Sequence, residues 1–329
     1  MPQKENCANS TTDYSPDILG GNFEKQTLKL NDDYEGTAIA TLVRSKCDRP
    51  SDKAVLYIHG FNDYFFQEEL AKEFNNQDYN FYALDLRKYG RSYLQHQKLN
   101  NVRSLKEYDE EINLALEIIK QEGNDHVLLN GHSTGGLIIT YYASRYPKST
   151  LFHGLICNSP FYEYNLSFFE RKFGIPLLSS IGKRFPKSLV PAGFSEMYGY
   201  SLHQDYHGEW NYSLIWKPNH IAKVNLGFIR AIHEAQINIQ SNCIITVPLL
   251  VLHSDKSIYV KKWTDKLKSA DAVLNVEHIA EFANAIKGNV KVSEIKDGMH
   301  DLVLSKKEVR EHAYKTIFDW IKSQFKNEN

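Results

Sequence analysis

The chain has 329 residues, of which 42% are hydrophobic and 24% charged, and a formal net charge of −1. That length buries a large core, as one elaborated domain or two small ones, and the near-neutral charge gives nucleic acid nothing to bind. Met1 to Pro16 are polar, without the apolar stretch of a secretory leader, and no apolar run reaches membrane-spanning length, so a cytoplasmic or loosely peripheral protein is expected.

Residues 1–20 read as a disordered or loosely docked tail. Residues 23–30 and 37–43 alternate apolar and polar side chains, as an antiparallel strand pair does. Residues 54–58 are continuously apolar and predict a strand buried on both faces; residues 79–84, 126–130 and 152–157 read the same way. Helical spacing fills the gaps near residues 66–74 and 104–120. From residue 160 to about 242 the strand–helix rhythm is lost and aromatics gather: Phe161, Tyr162, Tyr164, Phe168, Phe169 and Phe173. Strands return at residues 247–253 and 290–295, with helices near 273–285 and 309–325. Alternating strands and helices imply a mostly parallel sheet covered on both faces. The expected organisation is a tail (1–20), a core (21–159), an inserted cap (160–244) and the rest of the core (245–329).

Four scattered cysteines, Cys7, Cys47, Cys157 and Cys243, read as free thiols rather than a disulfide framework or zinc site. The Asn-x-Ser/Thr triplets at Asn9, Asn165 and Asn211 read as chance matches in a chain with no leader.

Between the apolar residues 127–129 and the helical pattern of 137–143 stands Gly131-His132-Ser133-Thr134-Gly135-Gly136. In a Gly-x-Ser-x-Gly turn a strand bends sharply into a helix and exposes the serine at the apex. The flanking glycines are needed because any side chain there would clash, and the helix aims its free N–H groups at the serine. A serine hydroxyl becomes a nucleophile when a histidine takes its proton and a carboxylate orients that histidine. Of 13 histidines, His300 has the right place, in Asp297-Gly298-Met299-His300-Asp301 just beyond the last strand. Two carboxylates follow the preceding strand: Asp255, directly after it, and Asp271, which requires the intervening residues to leave the sheet and return. Donors for an oxyanion are expected from the N–H of Thr134 and from that of Phe61, in His59-Gly60-Phe61-Asn62-Asp63 after the strand at 54–58.

These pieces resemble the α/β-hydrolases of the serine aminopeptidase-like, monoacylglycerol lipase and lysophospholipase group. The matching residues are His59-Gly60-Phe61, the stretch Asp85-Leu86-Arg87-Lys88-Tyr89-Gly90-Arg91-Ser92, residues 131–136 and Gly298-Met299-His300. The resemblance implies an α/β-hydrolase fold with a mainly helical cap. In that group the acid stands at a spacing from the histidine that Asp271 fits and Asp255 exceeds, so it favours Asp271. Lys88 stands where the group has its first glycine.

The expected function is hydrolysis of lipophilic acyl esters, such as monoacylglycerols or lysophospholipids, by Ser133, His300 and Asp271, with Phe61 and Thr134 as oxyanion donors and no metal or organic cofactor. A serine aminopeptidase or amidase on the same core is the alternative, with Glu163, Glu170, Glu196 or Glu209 recognising a free amine; a non-catalytic ligand-binding homologue is the other. His203 and His207 have metal-ligand spacing but lack a third ligand and read as polar cap residues. Cap aromatics beside Arg171, Lys172, Lys183, Arg184 and Lys187 fit either contact with an anionic lipid surface or ordinary packing under solvated cations.

Overall fold

A strand without a polar side chain needs cover on both faces, and residues 54–58 have it inside a nine-stranded sheet. The computed structural model describes residues 13–193, 195–221 and 223–325. In chain order come β1 (Ser15–Pro16), β2 (Glu24–Lys29), β3 (Ile39–Ser45), β4 (Lys53–Ile58), α1 (Glu68–Asn76), β5 (Asn80–Asp85), α2 (Asp109–Gln121), β6 (His126–His132), α3 (Thr134–Arg145) and β7 (Gly154–Asn158). Next are α4 (Ile175–Arg184), β8 (Leu189–Pro191), α5 (Met197–Leu202), β9 (Lys223–Asn225), α6 (Leu226–Gln240), β10 (Leu249–Ser254), α7 (Val276–Ala285), β11 (Val290–Ile295) and α8 (Lys307–Gln324).

The sheet order is β1-β2-β3-β5-β4-β6-β7-β10-β11. Pairing is antiparallel as far as β3–β5 and parallel from β5 to β11. Side chains of β4 alternate between two cores: Ala54, Leu56 and Ile58 pack with residues of α2, α3 and α6, and Val55 and Tyr57 with residues of α1 and α8. This is the mostly parallel, helix-flanked sheet that the patterning implies.

Two segments differ from expectation. Residues 226–240, given no element above, form the 15-residue helix α6. Phe228, Ala231, Ile232, Ala235 and Ile239 recur at helical spacing and pack into the main core. Residues 13–20, expected as the end of a loose tail, are tied down: β1 pairs with β2, and buried Asp17 receives two bonds of 2.7 Å from Arg91. Cys7 and Asn9 lie outside the described residues; Cys47, Cys157 and Cys243 are free thiols.

Lys88 has a left-handed backbone, with φ of 68°, a conformation that glycine adopts most readily. Its side chain is fully buried, and Nζ sits 2.6 Å from Asp33 and 2.8 Å from Glu35, over the ring of Tyr34. The connection between β2 and β3 is thereby anchored to the turn after β5. Lys88→Met strands two carboxylates in a buried site and is expected to cost about 3–5 kcal/mol, read as a lower urea midpoint with an unchanged m-value.

Candidate active site

β4 and β6 lie side by side, with Ile58 opposite Gly131, but the chain leaves β4 toward β5 and β6 toward β7. Where a parallel sheet divides in this way, its carboxyl edge opens a crevice. Phe61 follows β4, Ser133 and Thr134 follow β6, Asp271 lies in the connection after β10 and His300 follows β11.

Ser133 joins β6 to α3 with φ 53° and ψ −116°, a strained backbone for a residue with a side chain. The turn is tight enough that a Cβ on Gly131 would lie 2.5 Å from the Gly135 carbonyl oxygen, and one on Gly135 would lie 2.1 Å from that of Ile58. Thr134 is the first residue of α3, where backbone N–H groups have no partner within the helix. The loop after β4 comes as close: a Cβ on Gly60 would stand 3.2 Å from Ser133 Cβ. His59 braces this loop. Its Nε2 accepts from Leu86 N at 3.1 Å, so Nδ1 carries the proton, 2.8 Å from Gly60 O. Burial lowers the pKa of the His59 imidazole and favours that neutral form.

His300 Nδ1 lies 2.9 Å from Asp271 Oδ2, and both side chains are buried. Asp271 accepts as well from Val273 N and Leu274 N, each at 2.8 Å. A carboxylate that only accepts places the proton on Nδ1 and leaves Nε2 as the basic nitrogen. Residues 256–271 leave the sheet and return through one short bridge: Asp271 N donates to Lys256 O, and Ile258 N to Asp271 O. Asp255 does not reach His300. Its Oδ1 accepts from Asp297 N at 2.7 Å and shapes the turn that leads to the histidine.

Residues that sequence reasoning missed hold these loops together. Ser133 N donates to the Asn158 carbonyl at 2.9 Å, while Asn158 Nδ2 donates to Asp301 Oδ1 at 2.7 Å, so the serine turn and the histidine loop share one asparagine. The rings of His132 and His300 have centroids 4.9 Å apart, and Tyr198 of α5 meets His300 edge-on at 5.5 Å. Asp63 is buried with Oδ1 2.9 Å from Lys217 Nζ and Oδ2 3.7 Å from His132 Nδ1. Asn158 stands at the end of an apolar strand run and Asp301 adjoins His300, positions that gave a usable signal. Lys217 lies in the arrhythmic region and gave none. His203 bonds inward to Tyr212 O at 3.0 Å while His207 stacks on Trp263 at 3.6 Å, so the two do not converge on one point.

A mostly parallel sheet with a left-handed serine turn at its switch point defines an α/β-hydrolase. Residues 49–307 match the family described as serine aminopeptidase, S33, and the chain belongs to that family of hydrolases. Among solved structures it resembles the monoacylglycerol lipase of Paleococcus ferrophilus at 18% identity, over 86% of this chain and 99% of that one, with a TM-score of 0.64. A soluble variant of Saccharomyces cerevisiae monoglyceride lipase, solved with a substrate analog, matches at 16% identity, over 90% and 94%, with a TM-score of 0.65. Est1E of Butyrivibrio proteoclasticus, with bound ferulic acid, matches at 15%, over 91% and 100%, with a TM-score of 0.59. No curated protein sequence matches the chain. No helix among the described residues is long and apolar enough to cross a membrane.

Burial works to raise the Asp63 carboxyl, but Lys217 and His132 beside it outweigh burial and hold it down to about 2. Ionised Asp63 therefore adds stability that is complete above the ordinary carboxylate range and lost as pH falls through about 2. Asp63→Asn is expected to cost about 3 kcal/mol at neutral pH. In urea unfolding at stepped pH, the gap from wild type should close between pH 4 and pH 2.

Proposed function

We propose that this protein hydrolyses carboxylic esters of lipophilic acyl groups through a Ser133–His300–Asp271 triad. Ser133 Oγ attacks the ester carbonyl as His300 Nε2 takes its proton. The N–H groups of Phe61 and Thr134 hold the oxyanion. His300 then returns the proton to the leaving alcohol, and afterwards activates water against the acyl-enzyme. Asp271 fixes the tautomer and stabilises the charged imidazole.

The buried His300–Asp271 pair at 2.9 Å, delivered to the same sheet edge as the left-handed Ser133, is the observation that carries this reading. Apolar surroundings of Phe61 support the lipophilic acyl group: its ring lies 4.6 Å from Phe228 and packs against Ile175, Val224, Leu226 and Ile229. Recognition of a free amine has less support. Glu163 meets Arg171, Glu170 meets Ser167, Glu196 meets Tyr200 and His220, and Glu209 meets Arg310, so the four carboxylates are separately engaged. Monoacylglycerols and lysophospholipids are the substrates this reading favours.

A fluorophosphonate probe tests it. Wild-type protein should be labelled at Ser133, Asp271→Asn should lose about 10⁴-fold in ester turnover, and Asp255→Asn should stay near the wild-type rate. Absence of an adduct at Ser133 in folded protein sinks the assignment.

We further propose that the cap rests on an anionic lipid surface. Phe169, Phe173, Leu177 and Ile181 recur every four residues along residues 169–181 and are exposed, flanked by exposed Phe168, Phe185 and Leu189. Lys172, Lys183, Arg184 and Lys187 rise from the same segment and are exposed as well. Large apolar side chains insert at about 1.5–3 kcal/mol each, and nearby cations add about 1 kcal/mol each at an anionic surface. Replacing Phe169, Phe173 and Leu177 together by serine should weaken binding to phosphatidylglycerol vesicles at least about 100-fold while hydrolysis of a soluble short-chain ester is unchanged.

A further inference from the structure

Three consecutive residues of the loop after β4 are each held by one short turn of the inserted region, at residues 213–218. Asn62, left-handed at φ 53°, donates from Nδ2 to the Pro218 carbonyl at 2.7 Å. Asp63 receives the Lys217 ammonium at 2.9 Å. The Tyr64 hydroxyl accepts from Ser213 N at 2.7 Å, and its ring meets Trp216 edge-on at 5.1 Å. The turn itself is closed by bonds from Trp216 N and Lys217 N to the Ser213 carbonyl. Phe66 on Tyr212, at 4.8 Å, continues the contact.

We infer that residues 213–218 brace the oxyanion loop, and that Lys217 is a positioning residue for catalysis acting through Asp63. This rests on the assignment of Phe61 N–H as an oxyanion donor. Phe61 stands one residue before the braced triplet, and Gly60 on its other side is pressed against Ser133. An N–H that stabilises developing charge must be fixed in place before the charge appears. The Phe61 backbone is held from the core side by His59 and from the inserted region by Asn62, Asp63 and Tyr64. Asp63 also faces His132, the neighbour of Ser133, so the same carboxylate lies between the brace and the serine turn. A buried lysine and aspartate 2.9 Å apart hold one geometry, because moving either leaves the other's charge without a partner in a dry site. The inserted region thus takes part in chemistry on every substrate, whatever the length of the acyl chain.

Acyl-chain dependence tests this. Turnover of p-nitrophenyl acetate and p-nitrophenyl decanoate is measured for wild type, Lys217→Met and Asn62→Gly, with thermal unfolding to establish that each variant is folded. Asn62→Gly keeps the left-handed backbone, removes the bond to Pro218 and leaves every buried charge paired, so it serves if Lys217→Met does not fold. The expected result is a fall in kcat of about 10- to 100-fold on both esters, with KM within about twofold of wild type. Folded variants that turn over the acetate at the wild-type rate, with any loss confined to the decanoate, would show that the turn shapes only an acyl pocket and overturn the brace. A wild-type protein that hydrolyses neither ester and takes no fluorophosphonate removes the hydrolase reading itself, and the brace falls with it.

Discussion

The molecule is organised around one contact between backbones: the start of α3 lies directly on the carboxyl end of β4, with Gly135 against the carbonyl of Ile58. No side chain fits between them. That contact forces the left-handed conformation on Ser133, sets the N-terminus of α3 at the sheet edge and brings the loop after β4 beside the serine. Parallel strands on either side bring the remaining loops to the same edge. The site is therefore a consequence of how closely a helix can approach a sheet, and the glycines are the condition for it.

Around that contact the protein buries a cluster of polar and charged side chains. Asp63, Asp271, Asp301, His59, His132, His300, Asn158 and Lys217 are all buried near the sheet edge. Such groups are costly to remove from water unless partners answer them. Here the partners come from different loops: Asn158 answers Asp301, Asp271 answers His300, Asp63 answers Lys217. Each pair ties together two segments that are distant in the chain. The apolar cores hold the sheet and helices, and the directional polar pairs fix how the loops stand to one another at the sheet edge.

Much of this is legible in the sequence because burial on both faces leaves little choice of residue. The strands at 54–58 and 126–130 announce themselves as apolar runs, the edge strand at 290–295, only partly buried, by alternation before the last helix, and the serine turn by its glycines. α6 was equally visible in Phe228, Ile232, Ala235 and Ile239, yet its neighbours, rich in aromatics and poor in periodicity, obscured it. The choice between Asp255 and Asp271 is of another kind. Both follow β10, and what separates them is a two-residue bridge at Ser257 and Asp271 that brings an excursion back to the sheet. So short a pairing leaves no pattern in composition or period. Lys217 is harder still, since its meaning lies wholly in a carboxylate far away in the chain.

Lys88 shows how such distant dependence constrains which single substitutions a protein can accept. Its left-handed backbone suits glycine better than lysine, and its charge is tolerated only because Asp33 and Glu35 close over it. The three positions therefore form an epistatic lock. A change of Lys88 to glycine taken alone abandons two shielded anions, and loss of either acid first leaves a cation half answered. Homologues that carry glycine at this turn are expected to lack the acidic pair, and lineages that hold all three residues are expected to exchange them together or not at all.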